Sequence, residues 1–196
     1  SWSHLKQLFN FSIGFSLAAL VTFVAIESSN IVVGKYLGSY SLGLFSRSLQ
    51  LISMPAIIFG GAMDKFFFPV ISKYQSDYIS VASLVKELNH ILIILFMPLS
   101  LLLSINAKDI ILLLLGENWL AASDIFSILA VSLVFRICYK VSDILVRATG
   151  KVYSRFWRQL VNGTLVVGGA YIGKFYGLHG VAIAMSISFL INWVLM

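Results

Sequence analysis

Apolar residues run along this chain in blocks too long and too unbroken for the core of a soluble domain. Six blocks stand out, at residues 9–33, 42–63, 88–105, 120–148, 152–173 and from 178 onward. Each approaches or exceeds the roughly 20 residues that an α-helix needs to cross a bilayer. A shorter apolar piece at 110–115 cannot cross and reads as a re-entrant or interfacial turn. The strict alternation over about ten residues that marks a membrane barrel strand is absent. Only helices and closed barrels satisfy their backbone in lipid, so the pattern predicts an all-α membrane protein with about six transmembrane helices. Pro98 predicts a kink or break in the third block. Gly169, Gly173 and Gly177 recur every fourth residue, followed by Ala182 and Ser186 at the same spacing, which predicts close packing of the last two helices.

Composition sharpens the class. The 196 residues are 59% hydrophobic and only 11% charged, with a mean hydropathy of +0.94, far from the quarter charged typical of soluble domains. A net charge of +6 would suggest nucleic acid in a soluble protein; here it reads as basic cytoplasmic loops, with no nucleic-acid partner. Lys6, Lys65, Lys73, Lys86, Arg147, Lys151, Arg155 and Arg158 fall on one side, against Lys35, Lys108 and Lys174 on the other, with Arg47 just inside the second block. That asymmetry places the N-terminus and the basic 147–158 region of a multi-pass protein in the cytoplasm. The lone Cys138, in mid-block, excludes a disulfide within the chain and reads as a small buried hydrophobe. The chain opens at Ser1 and closes at Met196 inside an apolar run, and the expectation is one lobe, residues 1–196, of a longer protein.

Charges inside the blocks carry the candidate chemistry. Arg136, Lys140, Asp143 and Arg147 follow one another at spacings of four, three and four, on one helix face over about three turns. A charge at the bilayer centre costs about 2.5–3.5 kcal/mol on insertion scales, so such residues face a polar interior and mark a pathway. Asp143 can serve as a local counter-charge to Lys140 at i,i+3 and Arg147 at i,i+4. Arg147, at the interface, reads as a snorkelling anchor. Arg136 lies deeper, with no acid one turn away, and reads with Lys140 as a contact for a phosphate-bearing or acidic ligand. Arg47 is a third substrate-binding candidate. Glu27, followed by Ser28, Ser29 and Asn30, is the candidate for ion coupling or for a pair with Arg47. Asp64 and Lys65 read as an interfacial pair.

Enzymatic signatures are missing. No phosphate-binding G-x-x-x-x-G-K-[ST] pattern occurs, His4, His90 and His179 lack metal-ligand spacing, and there is no nucleophile elbow. The expectation is a non-enzyme without metal or cofactor. The sequons at Asn10 and Asn162 fall in or at the edge of blocks, where a glycan cannot be attached.

Several phrases occur in a recognisable order. SNIVVGKYLG at 29–38 leads into SLGLFSR at 41–47, FPVIS stands at 68–72, LLLGENW at 113–119 and YGLHGVAIA at 176–184. Together they resemble the Wzx-type polysaccharide flippases of the multidrug/oligosaccharidyl-lipid/polysaccharide exporter superfamily, over nearly the whole chain. Ser29 stands where that family's D-N-x-x-I-G phrase has aspartate. The resemblance implies the C-terminal six-helix lobe of a two-lobe secondary transporter, its partner being a missing N-terminal lobe. It implies translocation of undecaprenyl-pyrophosphate-linked oligosaccharide for lipopolysaccharide, O-antigen or exopolysaccharide biosynthesis, beside membrane lipids and polysaccharide polymerase machinery. Rocking of the two lobes would expose the substrate outside, with Pro55, Pro98 and Gly60-Gly61 as flex points. A drug or small-molecule exporter of the same superfamily, and a non-transporting membrane scaffold for glycan assembly, stand as alternatives. The stripe belongs to none of these phrases and rests on its own physics.

Overall fold

The apolar blocks form helices, and the two longest apolar helical stretches each double back on themselves. The computed structural model describes residues 2–73, 78–148 and 152–195; Ser1, Lys151 and Met196 lie outside them. The elements are α1 (Trp2–Lys73), α2 (Tyr78–Ile105), α3 (Ala107–Leu115), α4 (Ser123–Val131), α5 (Leu133–Ala148), α6 (Val152–Gly173) and α7 (Gly177–Leu195). Short 3-10 turns at Glu117–Ala122 and Lys174–Tyr176 join α3 to α4 and α6 to α7. Among the described residues there is no strand, as the pattern predicts.

Gly38 divides α1 into two limbs. Its φ of 88° and ψ of 168° lie in a region essentially confined to glycine. The limbs run back to back: a Cβ on Gly34 would stand 3.1 Å from Leu42, and Ala25 of the first limb lines the same cavity as Ser53 of the second. In a straight helix residues 25 and 53 would be about 42 Å apart. The second limb continues to Lys73, ten residues past the expected end at 63, and α2 likewise begins ten residues before 88.

The pair α6–α7 forms the second hairpin. A Cβ on Gly180 would lie 2.4 Å from the carbonyl oxygen of Gly173, so the two backbones touch there. Gly169 faces Ala184 in the same seam, which is the close packing that the four-residue spacing predicts. Ser186 departs from it, donating instead to the Ile128 carbonyl of α4 at 3.2 Å.

Between the hairpins lies the α4–α5 segment, which holds much of the core: Ile125, Leu129, Leu133, Ile137, Val141 and Ile144 are almost wholly buried. The expected single helix at 120–148 is instead a 3-10 turn followed by two helices meeting at 43°. The break falls at Ser132, whose hydroxyl bonds back to the Leu129 carbonyl at 2.6 Å, an interaction that bends helices. Serines from three neighbours hold the α4 half: Ser48 reaches the Ala122 carbonyl, Ser104 that of Ser127 and Ser186 that of Ile128. α2, by contrast, runs unbroken through Pro98.

The bundle therefore has two ends. Ile71, Val81, Ile144 and Ala148 cluster at the end toward which both chain termini run. The turns at Gly38 and at 174–176 share the opposite end, where Tyr36 meets Tyr171 edge-on. Ser16–Lys73, Val81–Ile105 and Tyr153–Leu195 are long and apolar enough to cross a membrane, and the bent α4–α5 pair is a fourth stretch that passes as a unit. Their outer surfaces carry Leu20, Phe23, Ile58, Ile94, Leu102 and Ile187 exposed, as lipid-facing helices do. This is an all-α, multi-pass membrane protein.

Candidate functional site

The stripe on α5 faces the second limb of α1. Arg136 donates from Nη2 to Ser53 Oγ at 2.9 Å, Lys140 lies along Gly60, and Arg147 pairs with Asp64. A Cβ on Gly60 would come within 3.3 Å of the Lys140 methylenes, so that glycine makes room for the lysine stem.

Asp143 turns toward α6 and is buried. Arg155 approaches it from Nε at 2.5 Å, and Arg147 from Nε at 3.0 Å, the latter off the line of a hydrogen bond. Tyr139 donates its hydroxyl to Asp143 at 3.3 Å and accepts from Gln159. Asp64, Arg147, Asp143 and Arg155 form a neutral four-charge network tying α1, α5 and α6 together at the terminal end. Four expectations are corrected here. Asp143 pairs with Arg155 and Arg147 and makes no ion pair with Lys140, because the carboxylate points to α6. Asp64 pairs with Arg147 and not with Lys65, and Arg147 is held by two carboxylates instead of snorkelling alone. Arg155 is a buried residue of α6, no longer part of a basic loop.

Above this network lies a cavity of about 280 Å³, bordered by α1, α5, α6 and α7. Arg136, Lys140, Tyr139, Gln159, Asn162 and Asn192 supply its polar wall. Among the described residues, two cations face it and no acid does. The Arg136 guanidinium stacks on Phe189 at 4.5 Å from the ring centroid, which offsets part of its burial. Its Nη1 is sealed from solvent without a hydrogen-bond partner among the described residues, as are one oxygen each on Gln159, Asn162 and Asn192. Lys140 makes no hydrogen bond or ion pair among the described residues. The cavity is thus a cationic, hydrogen-bonding chamber near mid-bundle, four residues below the break at Ser132. Irregular backbone inside a membrane is tolerated where it is packed in protein or lines such a cavity.

The remaining candidates lie elsewhere. Glu27 is exposed on the first limb, accepting from Asn30 at 3.3 Å, and does not pair with Arg47. Arg47 is exposed near the hairpin end, bonded to Gln50 at 3.0 Å with its guanidinium 5.8 Å from the centroid of Trp119. Ser29 is buried and closes on its own helix at the Ala25 carbonyl. The amides Gln159, Asn162 and Asn192 were not anticipated as site residues. Their signal was available, since polar amides in apolar helices mark interhelical contacts. Asn162 sits 6% exposed in the cavity wall, out of reach of glycosylation. Among the described residues no cluster of His, Cys, Asp and Glu could hold a metal.

Residues 1–124 match the model of a family described as "Polysaccharide biosynthesis protein". The teichuronic acid biosynthesis protein TuaB of Bacillus subtilis is 23% identical over 154 residues, covering 78% of this chain and 32% of that protein. An uncharacterized membrane protein in the cps region of Klebsiella pneumoniae is 23% identical over 97% of this chain and 40% of its own length. The succinoglycan biosynthesis transport protein ExoT of Rhizobium meliloti is 22% identical over 90% of this chain and 36% of its own. The chain thus spans between about a third and two fifths of the relatives it matches. No solved structure matches it significantly.

Proposed function

We propose that this chain, which belongs to the polysaccharide biosynthesis protein family, is one lobe of a secondary transporter that flips undecaprenyl-pyrophosphate-linked oligosaccharide across the bacterial cytoplasmic membrane. In this reading each limb of the two hairpins, together with α2 and the α4–α5 pair, crosses the bilayer once. The terminal end, with Lys65, Lys73, Arg147, Arg155 and Arg158, faces the cytoplasm. A second lobe of the same protein completes the pathway, and the polymerase machinery takes up the product outside. The protein moves its substrate and performs no chemistry on it.

One observation carries the reading: among the described residues, a cavity in the bundle is faced by two cations and no acid, with a guanidinium nitrogen left unpaired. An unpartnered buried donor is costly, and an anion that supplies the missing acceptor recovers the cost. A volume of about 280 Å³ suits a pyrophosphate and leaves sugars and lipid tail outside. A cation-exporting relative would need an acid where Arg136 stands, so the same observation disfavours the drug-exporter reading.

The test is complementation of a flippase-deficient strain by the full-length protein. Arg136→Ala is expected to lower surface polysaccharide by about tenfold, the equivalent of one charge-assisted bond, with partial recovery in Arg136→Lys. Normal polysaccharide from a well-expressed Arg136→Ala/Lys140→Ala double variant would remove the cavity from the mechanism.

A further inference from the structure

Two stretches that the cavity does not use, residues 39–47 and 118–119, converge at the hairpin end of the bundle. There they enclose a pocket of about 330 Å³ lined by Ser39, Tyr40, Gly43, Leu44, Asn118 and Trp119. The edge of the Trp119 indole packs on Gly43, 3.8 Å from where a Cβ would stand, while the ring borders the pocket. One helical turn beyond Gly43, Arg47 hangs over the same ring at 5.8 Å, the outer limit of a cation–π contact. Its one hydrogen bond goes to the neutral Gln50, and no carboxylate pairs with it among the described residues.

A tryptophan that merely anchors a membrane interface stands among lipid-facing apolar groups. Trp119 instead shares its pocket with a serine, a tyrosine and an amide, and the Arg47 guanidinium, outside the lining, stands over its ring. The neighbouring aromatic group at this end is different in kind. Lys174 Nζ lies 3.5 Å from the ring centroids of both Tyr36 and Tyr171, so that cage is filled by the chain's own cation. The Trp119 pocket is open.

An aromatic face flanked by directed hydrogen-bonding groups matches a pyranose ring, whose C–H face stacks while its hydroxyls bond the amide and the serine. A guanidinium at the rim adds a preference for a carboxylate. We propose that this pocket binds an acidic sugar of the glycan on the outer side, one or two rings at a time, and receives the chain as it leaves the translocation pathway. The proposal rests on the glycan-transporter reading above, but its residues and its site are separate from the cavity.

The test uses the full-length protein in detergent, titrated calorimetrically with a tetrasaccharide of glucuronic acid and, in parallel, with maltotetraose. Saturable binding of the acidic probe is expected, weakened about tenfold by Trp119→Ala and to a similar degree by Arg47→Gln, and kept within about threefold by Trp119→Phe. The phenylalanine variant guards against a folding defect, since it keeps the aromatic platform. Absence of saturable binding, or equal binding by Trp119→Ala, overturns the pocket. Equal affinity for maltotetraose overturns the acidic assignment. Arg136→Ala is expected to bind the probe like the parent protein while losing surface polysaccharide, so failure of the pocket and failure of the cavity are read separately.

Discussion

Asp143 decides what the other charges on its helix can do. By taking Arg155 and Arg147, it leaves Lys140 and Arg136 without an acidic partner among the described residues, and the cavity keeps its positive charge. Removing a buried partner is costly because the charges left behind cannot reach water. Asp143→Asn is therefore expected to destabilise the protein by about 3–5 kcal/mol. Asp64 has a side chain 45% exposed, and Asp64→Asn should cost less than about 1 kcal/mol. Thermal unfolding in detergent measures both; equal, small shifts would show that the network is not what holds α5 to α6. At this scale Arg136 was legible in the sequence, since depth in an apolar block and the lack of a local acid can be read from spacing. Its contacts with Ser53 and Phe189 were not, because both partners are more than fifty positions away. The same limit misassigned Arg155, which looks like a loop cation until α6 is placed against α5. Glu27 and Arg47 met the sequence criterion of a charge within a block, yet both point away from the cavity.

Small residues set how closely the elements approach. Gly180 and Gly173 bring the α6 and α7 backbones into contact, and any side chain at the crossing must force them apart. Gly180→Ala is expected to cost about 1–3 kcal/mol through overpacking. Gly168→Ala, on the same hairpin but with no atom within 4 Å of the new methyl, should be neutral or slightly stabilising. Comparing the two by thermal midpoint separates a packing effect from a general intolerance of substitution; equal losses would contradict the seam. The four-residue spacing made this seam readable. The break at Ser132 was not readable, because serines bond back to their own helix elsewhere without breaking it, as Ser53 does to Leu49 and Ser100 to Met97. Proline, the usual sequence sign of a break, does not interrupt α2 at Pro98, where the helix continues.

For the whole molecule, orientation in the membrane is read by cysteine labelling, and Cys138 provides a convenient background because it is buried. A membrane-impermeant maleimide is expected to label Tyr40→Cys in intact cells and Tyr153→Cys only after permeabilisation. Both positions are exposed, at opposite ends of the bundle. The reverse pattern would invert the orientation, placing the Trp119 pocket inside and removing its proposed role.

The all-α membrane class and the existence of a charged face follow from the sequence alone. Hydropathy and residue spacing are local quantities, and the bilayer converts them directly into spans and faces. Where those faces point is a different matter. The reversal at Gly38, the division of the stripe into a neutral clasp and a cationic cavity, and the meeting of residues 39–47 with Trp119 depend on pairings between distant elements. Opposite charges find each other by proximity in the fold, and the cavity's sign is what remains after that pairing. Only the tertiary structure decides it.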